Sequence, residues 1–335
     1  PLQLALSPAL GALAAGNRVM IKPSELTPRF SQALQQAVAK YFAANEMVVV
    51  VGDAEVGKAF VALPFDHLLF TGSTAVGRQV AQAAARNLTP VTLELGGKSP
   101  ALLDQSADMP LAAERIAYAK LLNAGQTCVA PDYVLVHRSQ QDKFVEEFSQ
   151  AVRGMYPSIP ANPDYTSIVS QRHFARLLGL LEQAHTAGAT VMALGETEPA
   201  ARRLAPCVVL QPPLDGPLMQ EEIFGPILPV VAYDNVEQAI DLIRSRPHPL
   251  ALYWFGNDRQ AQDKVMHATL SGGVTINDCI FHLAQESQPF GGVGASGMGA
   301  YHGEWGFRTF SKEKPIFTQA RWSGTRWLRP PYGPA

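Results

Sequence analysis

DHLLFTGSTAVGRQVAQAAAR, residues 66–86, decides the fold, because a short apolar strand passes directly into an Ala-rich helix. The helix has apolar residues at helical spacing and many residues of high helix propensity. Gly72 permits a tight turn between the two elements, and Gly77 allows a close approach of the helix. Free N–H groups at the start of such a helix can face a diphosphate. The glycine spacing is GxxxxG and not GxGxxG, so an ordinary strand-to-helix turn stays open as an alternative.

The same alternation extends over residues 17–95, which predicts one parallel, doubly wound sheet with right-handed crossovers. The predicted elements around the first stretch are strands at 17–22, 47–51 and 90–95 and a helix at 29–44. A second α/β domain is predicted from helices at 111–123 and 141–155 and strands at 133–137, 189–194, 227–233 and 250–255. From Pro289 onward the chain is rich in Gly, Pro and aromatic residues, which favours an arm over a part of the core.

Composition excludes several classes of function. The chain has 335 residues, 47% hydrophobic and 17% charged, with a formal net charge of −2. This charge gives no attraction to nucleic acid or to an anionic membrane. No apolar run reaches the roughly 18 residues of a membrane span. The three cysteines, at 128, 207 and 279, are too far apart for a CxxC metal pair, and the eight histidines show no metal-ligand spacing. We expect free thiols, no metal and a cytoplasmic protein.

Two residues are candidates for chemistry. Cys128, in NAGQTCVAPDY, follows a predicted helix and a glycine, so we expect its sulfur to be accessible and close to backbone N–H groups. Glu94 ends the apolar strand TLEL, where it is either paired structurally or partly desolvated, with a raised pKa that suits a general base. Most lone cysteines are buried and inert, which is the interpretation for Cys207 and Cys279.

Three further side chains are candidates for ligand binding. Lys22 and Glu25, in IKPSE, follow a strand of the first sheet, at the end where ligands dock in open α/β folds. A carboxylate there can hold ribose hydroxyls, although a solvated loop with Glu25 in the first turn of a helix is the alternative. Glu222 precedes the turn at Phe224, which can fix its carboxylate against a ligand hydroxyl.

Taken together, the motifs resemble the NAD(P)-dependent aldehyde dehydrogenase superfamily. IKPSE, FTGSTAVG, LELGGKSP, GQTC, EIFGP and PFGGVGASGMG occur in the family's order and cover essentially the whole chain. GQTCVAPDYVLV and PFGGVGASGMGAYHG are most similar to the branch that includes the class 3 and coniferyl aldehyde dehydrogenases. The resemblance implies an α/β fold with a Rossmann-type NAD(P)-binding domain at 1–96, a catalytic α/β domain at 97–292 and a C-terminal oligomerisation arm at 293–335.

The resemblance also implies a role for each matched position. Cys128 matches the nucleophile and Glu94 the general base. The matches to cofactor-binding positions are the ribose pair Lys22 and Glu25, the diphosphate loop Gly72, Ser73 and Gly77, and the nicotinamide-side contacts Glu222 and Phe224. The expected reaction is oxidation of an aldehyde, aromatic or medium-chain, to a carboxylic acid through a thiohemiacetal and a thioester. The expected cofactor is NAD, with NADP as an alternative, and the expected assembly is a homodimer or homotetramer.

One position departs from the family pattern. Pro1 matches the last residue of a PWN(Y/F)P-like segment whose Asn binds the oxyanion, so we expect a longer native protein and weak or no activity of this chain alone. Two rival hypotheses stay open. One is an inactive fragment or interaction module of such an enzyme, and the other is a cysteine hydrolase that uses Cys128 without a cofactor.

Overall fold

The computed structural model describes residues 1–333 and contains α-helices and three β-sheets. The helices are α1 Leu2–Ala14, α2 Pro28–Tyr41, α3 Ala54–Val61, α4 Thr74–Ala85, α5 Met109–Leu121, α6 Gln141–Met155, α7 Gln171–Thr186, α8 Pro217–Gln220, α9 Val236–Arg244, α10 Arg259–Ala268 and α11 Gly303–Thr309. The strands are β1 Val19–Ile21, β2 Met47–Val49, β3 Leu68–Gly72, β4 Val91–Leu95, β5 Pro100–Leu103, β6 Tyr133–His137, β7 Thr190–Ala193, β8 Cys207–Leu210, β9 Ile227–Tyr233, β10 Ala251–Phe255, β11 Gly273–Ile276 and β12 Gly297–Met298.

The larger sheet has seven strands in the order β11-β10-β5-β6-β9-β8-β7, parallel except for the antiparallel pair β7–β8. Its central strands β5, β6 and β10 are apolar and buried, because helices cover both faces. Helices α5 and α6 pack on one face, and α9 and α10 pack on the other. Strands β6, β7, β9 and β10 agree with predicted stretches, whereas β5 and β8 were not predicted.

The first part of the chain differs from the prediction of a single sheet. Strands β1 and β2 form one parallel pair, while β3 and β4 form another that is extended by the antiparallel β12. Within residues 1–333, no pairing joins the two sheets. Apolar patterning specifies that a strand is covered, but it does not specify which strand lies beside it. The sequence also missed α3, whose first turn is capped by Asp53 through the N–H groups of Glu55 and Val56.

Residues 290–302 pack against the rest of the protein, which differs from the arm predicted from Pro289 onward. Phe290, Tyr301 and His302 are buried, and β12 pairs with the strand that carries Glu94. The glycines of this stretch permit the close contact, because a Cβ on Gly297 would lie 2.4 Å from the carbonyl oxygen of Leu93. A glycine-rich segment therefore closes one side of the candidate site. Within residues 1–333, no helix is both long enough and apolar enough to cross a membrane.

Candidate active site

Cys128 follows α5 across a left-handed turn. Asn123, Ala124 and Gly125 have consecutive φ angles of 53°, 53° and 74°. Non-glycine residues pay for this conformation with strain, which persists only where the surroundings enforce it. A Cβ on Gly125 would lie 2.4 Å from the carbonyl oxygen of Gly225, so the turn packs tightly against the loop that follows Glu222. The packed turn therefore fixes the position of the backbone that leads to Cys128.

Contacts from distant parts of the chain hold this loop. The Gln126 side chain donates to the carbonyl oxygen of Asn123 at 3.0 Å and accepts from the N–H of Val169 at 2.8 Å. The buried Tyr253 hydroxyl donates to the carbonyl oxygen of Val129. Sequence reasoning missed Asn123, Gln126 and Tyr253. An Asn and a Gly near a helix end signal a left-handed turn, whereas the long-range contacts leave no local signal.

The Cys128 thiol lies near the carboxyl groups of Glu94 and Glu222. Burial raises its pKa to about 12, and the charges of Glu222 and then Glu94 add to the rise. The N–H groups of Cys128 and Val129 hydrogen-bond to the sulfur and act in the opposite direction. The side chain is half-buried and packs against the core of the seven-stranded sheet. In the unliganded protein the sulfur is therefore a protonated thiol at neutral pH.

Glu94 lies near the end of β4, with β3 on one side and β12 on the other. It is 4% exposed, and neither carboxylate oxygen has a hydrogen-bond partner among the described residues. Burial raises its pKa to about 9. An unpartnered carboxyl group of this kind holds a proton at neutral pH and is a strong proton acceptor once it is ionised.

Glu222 reaches the Gly96–Gly97 backbone, which joins β4 to β5. The Gly97 N–H donates to its carboxylate, and a Cβ on Gly96 would lie 2.1 Å from both carboxylate oxygens. Burial, followed by the charge of Asp132, raises the pKa of Glu222 to about 8. Phe224, two residues later, has a left-handed φ of 50° and is half-buried. The glycine pair thus leaves the space that this carboxylate occupies.

The candidate ribose pair lies after β1. Lys22 Nζ is 3.1 Å from Glu25 Oε2, and the lysine side chain is 12% exposed. Hydrogen bonds from the Glu25 backbone and from Lys22 lower the pKa of the Glu25 carboxyl, so this side chain is an ionised acceptor at neutral pH. The pair therefore presents both a cation and an anion at the end of a strand.

The β3–α4 connection contains the candidate diphosphate loop. Ser73 is the N-cap of α4, and its hydroxyl accepts from the N–H of Val76 at 3.4 Å. A Cβ on Gly77 would lie 2.6 Å from a Leu95 methyl carbon, which confirms the predicted close approach of helix and sheet. Gly72 ends β3 and its φ is not left-handed, so the turn that it permits does not depend on the backbone freedom of glycine. A Cβ on Gly72 would lie 2.5 Å from the Phe70 ring.

The structure thus brings together three residues from distant parts of the sequence. The carboxylates of Glu94 and Glu222 both act on the pKa of the Cys128 thiol. Tyr301 joins this group, because the negative charges of Glu94 and Cys128 contribute to its raised pKa. Lys22 and Glu25 belong to the other small sheet, and their hydrogen bonds do not reach the thiol.

The chain is similar to known proteins over nearly its whole length. Residues 1–316 match the aldehyde dehydrogenase family. The chain belongs to this family. A probable coniferyl aldehyde dehydrogenase from Pseudomonas aeruginosa is 53% identical over 333 residues, which are 99% of this chain and 70% of that protein. The resemblance to the coniferyl aldehyde dehydrogenase branch is thereby confirmed.

Solved structures of family members share the fold. The substrate-bound Staphylococcus aureus AldH superposes with a TM-score of 0.93 at 45% identity, over 99% of this chain and 72% of that one. A Mycobacterium tuberculosis aldehyde dehydrogenase complexed with NAD+ superposes with a TM-score of 0.86 at 31% identity, over 96% and 68% of the two chains. The predicted aldehyde dehydrogenase-like α/β fold is confirmed. As a member of this family, the chain is an aldehyde-oxidising oxidoreductase.

The charges around the thiol lead to a first prediction. Replacing Glu222 by Gln should lower the pKa of Cys128, because Glu222 is the larger of the two electrostatic contributions that raise it. The variant should react with iodoacetamide at lower pH than the unsubstituted protein, since the thiolate is the reacting form. The rate of modification at residue 128, followed by mass spectrometry over the neutral and alkaline range, measures this shift. An unchanged or upward-shifted profile would contradict it.

Proposed function

We propose that this chain carries the machinery for NAD-dependent oxidation of an aldehyde to a carboxylic acid, with Cys128 as nucleophile and Glu94 as general base. The observation that supports it most is the grouping of one half-buried thiol with the buried carboxyl group of Glu94 and the half-buried carboxyl group of Glu222. A thiol forms a covalent bond to a carbonyl carbon, and a carboxylate of high pKa activates water. The reaction needs both.

The roles follow from the geometry. Cys128 gives its thiol proton to solvent water, and the resulting thiolate attacks the aldehyde carbon, whose carbonyl electron pair moves to the oxygen. The N–H groups of Cys128 and Val129, which hydrogen-bond to the sulfur, are the candidates to hold this oxyanion. Bound NAD supplies the hydride acceptor for the next stage. Glu94 then takes a proton from the water that attacks the resulting thioester, and the carboxylic acid leaves with regeneration of the Cys128 thiolate. Because the pKa of Glu94 is about 9, hydrolysis should become faster as pH rises toward that value.

The described residues fit a dinucleotide. The start of α4 presents free N–H groups after β3, as a diphosphate requires. Gly72 and Ser73 form the connection, and Gly77 lies within the first turns of α4. Ionised Glu25 suits ribose hydroxyls and disfavours a 2′-phosphate, which supports NAD over NADP despite the neighbouring Lys22. Glu222 and Phe224 are assigned to the nicotinamide side, because Glu222 lies close enough to the thiol to influence its pKa.

For the substrate we propose an aromatic, coniferyl-like aldehyde, on the basis of the similarity to the Pseudomonas aeruginosa protein. Medium-chain aldehydes are the alternative. The exposed aromatic residues near the C-terminus support a homo-oligomer, and the three unpaired cysteines support a cytoplasmic location. The proposed boundaries are 1–96 for cofactor binding, 97–292 for catalysis and 293–335 for assembly.

The Gly96 position supplies a second prediction. Gly96→Ala should raise the KM for NAD about tenfold or more, since the new methyl group would occupy the place of the Glu222 carboxylate and a displacement near 1 Å has large effects. Gly154→Ala, in α6 with open space around it, is the matched control and should leave the KM unchanged. Steady-state kinetics with NAD measures both. Equal KM values for the two variants would contradict the assignment of Glu222.

A third prediction tests the function as a whole. With an aldehyde panel, the purified protein should form reduced nucleotide fastest with aromatic aldehydes, and kcat/KM should be higher with NAD than with NADP. Absorbance of the reduced nucleotide measures the reaction. Ester cleavage without any nucleotide reduction would replace the proposal by a cofactor-independent cysteine hydrolase. A clear preference for NADP would overturn the role of Glu25.

A further inference from the structure

The segment Leu214–Ile223, which carries Glu222, is held by charged side chains that bind its backbone. Lys98 Nζ donates to the carbonyl oxygen of Leu218 at 2.7 Å. The N–H of Ile223 donates to Asp132 Oδ1 at 3.0 Å. Further guanidinium bonds from Arg246 and Arg176 reach the carbonyl oxygens of Leu214, Met219, Glu222 and Ile223. Three of these side chains, Lys98, Asp132 and Arg246, are buried, so buried charged groups supply several of the segment's backbone partners.

Lys98 and Asp132 also form an ion pair with each other. They are 6% and 4% exposed, and they lie at the starts of β5 and β6, the two strands that follow Glu94 and Cys128 in the sequence. Asp132 is further tied to this place by its N–H, which donates to the carbonyl oxygen of Ser99 at 2.7 Å. Desolvating two charges costs as much as their attraction returns, so a pair at this depth is not explained by stability alone.

A third charged side chain, Lys120, is buried close to the Lys98–Asp132 pair. Lys120, at the end of α5, is 1% exposed, and its Nζ has no hydrogen-bond partner among the described residues. Burial lowers its pKa to about 8, against the attraction of Asp132. An apolar core would avoid such a penalty. Two of these charged residues, Lys98 and Asp132, contact the segment that carries Glu222.

We propose that Lys98 and Asp132 are positioning residues for cofactor binding. They act through hydrogen bonds to the backbone on both sides of Glu222. These hydrogen bonds are made to the Leu218 carbonyl oxygen and by the Ile223 N–H. The Glu222 carboxylate, between these two points in the sequence, contacts the Gly96–Gly97 backbone. Lys98 directly follows that glycine pair, so one short segment fixes both the loop and its carboxylate. This inference rests on the proposed function, in which Glu222 contacts the nicotinamide-side ribose.

The test replaces the pair without leaving a lone buried charge. In the double variant Lys98→Met/Asp132→Leu, apolar side chains of similar size should preserve folding. Both hydrogen bonds to the backbone, at Leu218 and at Ile223, are lost. We expect the KM for NAD to rise about tenfold or more with an unchanged KM for the aldehyde, because only the cofactor contact has moved. Asp132→Asn, which retains an acceptor for the Ile223 N–H, should give a smaller rise. If the double variant does not fold, the KM for NAD of Asp132→Asn tests the proposal instead.

Two comparisons separate positioning from general damage. Glu198→Gln breaks the 3.1 Å ion pair with Arg203 elsewhere in the fold and should leave the KM for NAD unchanged. In a Glu222→Gln background, removal of the Lys98–Asp132 pair should have no further effect on that KM. An unchanged KM in the pair variants, or an equal rise in both backgrounds, would overturn the inference. If Glu222→Gln itself leaves the KM for NAD unaltered, the assigned role of Glu222 fails first, whatever the pair does.

Discussion

Replacing Cys128 by alanine should abolish aldehyde oxidation, with a fall in kcat of about 10⁴-fold or more, because the reaction loses the atom that bonds to the carbonyl carbon. No other cysteine can take over this role. Cys207 and Cys279 are 4% and 0% exposed, so neither sulfur is open to a substrate. Formation of reduced nucleotide with an aromatic aldehyde measures the effect.

Cys207→Ala is the control for this substitution. Its sulfur lies in a separate core cluster, where it hydrogen-bonds to the carbonyl oxygen of Ala205 at 3.3 Å. The variant should retain full activity if it folds, since it removes a thiol of the same type from a place without catalytic groups. Substantial turnover by Cys128→Ala, or an equal loss in the two variants, would rule out covalent catalysis at residue 128.

Glu94→Gln should slow steady-state turnover by about 10²–10⁴-fold while it preserves a first, rapid burst of reduced nucleotide. The thiol and the cofactor contacts are intact in this variant, so one aldehyde per active site is oxidised. Hydrolysis of the thioester then stalls, because the amide cannot accept the proton of the attacking water. Stopped-flow absorbance separates the burst from the slow phase. Loss of the burst together with turnover would show that Glu94 acts before the thioester forms.

The same variant should be more stable than the unsubstituted protein at neutral pH. The pKa of Glu94 is about 9 in the folded protein against 4.5 for an exposed group, so the folded state holds a proton that the unfolded state releases. As pH rises from 4.5 toward 9, ionisation of Glu94 in the unfolded state lowers the free energy of unfolding. Glutamine does not ionise, so the variant lacks this pH-dependent loss of stability. A melting temperature at or above that of the unsubstituted protein therefore separates lost catalysis from lost folding.

The sequence predicted most of what depends on local patterns. The boundaries of β6, β9 and α6 agree with the predicted stretches, because apolar runs and amphipathic spacing are local properties. A partly desolvated Glu94 was one of the two expectations, the other being a structurally paired carboxylate, since this residue lies near the end of a largely apolar strand. The raised pKa follows from that burial.

Properties that depend on long-range contacts were not predicted. The glycines after Pro289 are typical of a closely packed loop, but they do not indicate that the loop packs against the Glu94 strand, because that contact joins residues about two hundred positions apart. Likewise, the sequence around Glu222 does not show that Lys98 and Asp132 bind its backbone. The left-handed turn at Asn123–Gly125 was accessible in principle from its residue types, but its function in orienting Cys128 required the fold.

The most direct test of the central claim is the mass of residue 128 during turnover. Glu94→Gln should be mixed with an aromatic aldehyde and NAD, quenched in acid and digested. We predict an acyl group on the peptide that contains Cys128, because the thioester accumulates when its hydrolysis is blocked. A peptide of unmodified mass after the burst, or an acyl group on another residue, would contradict the proposed chemistry.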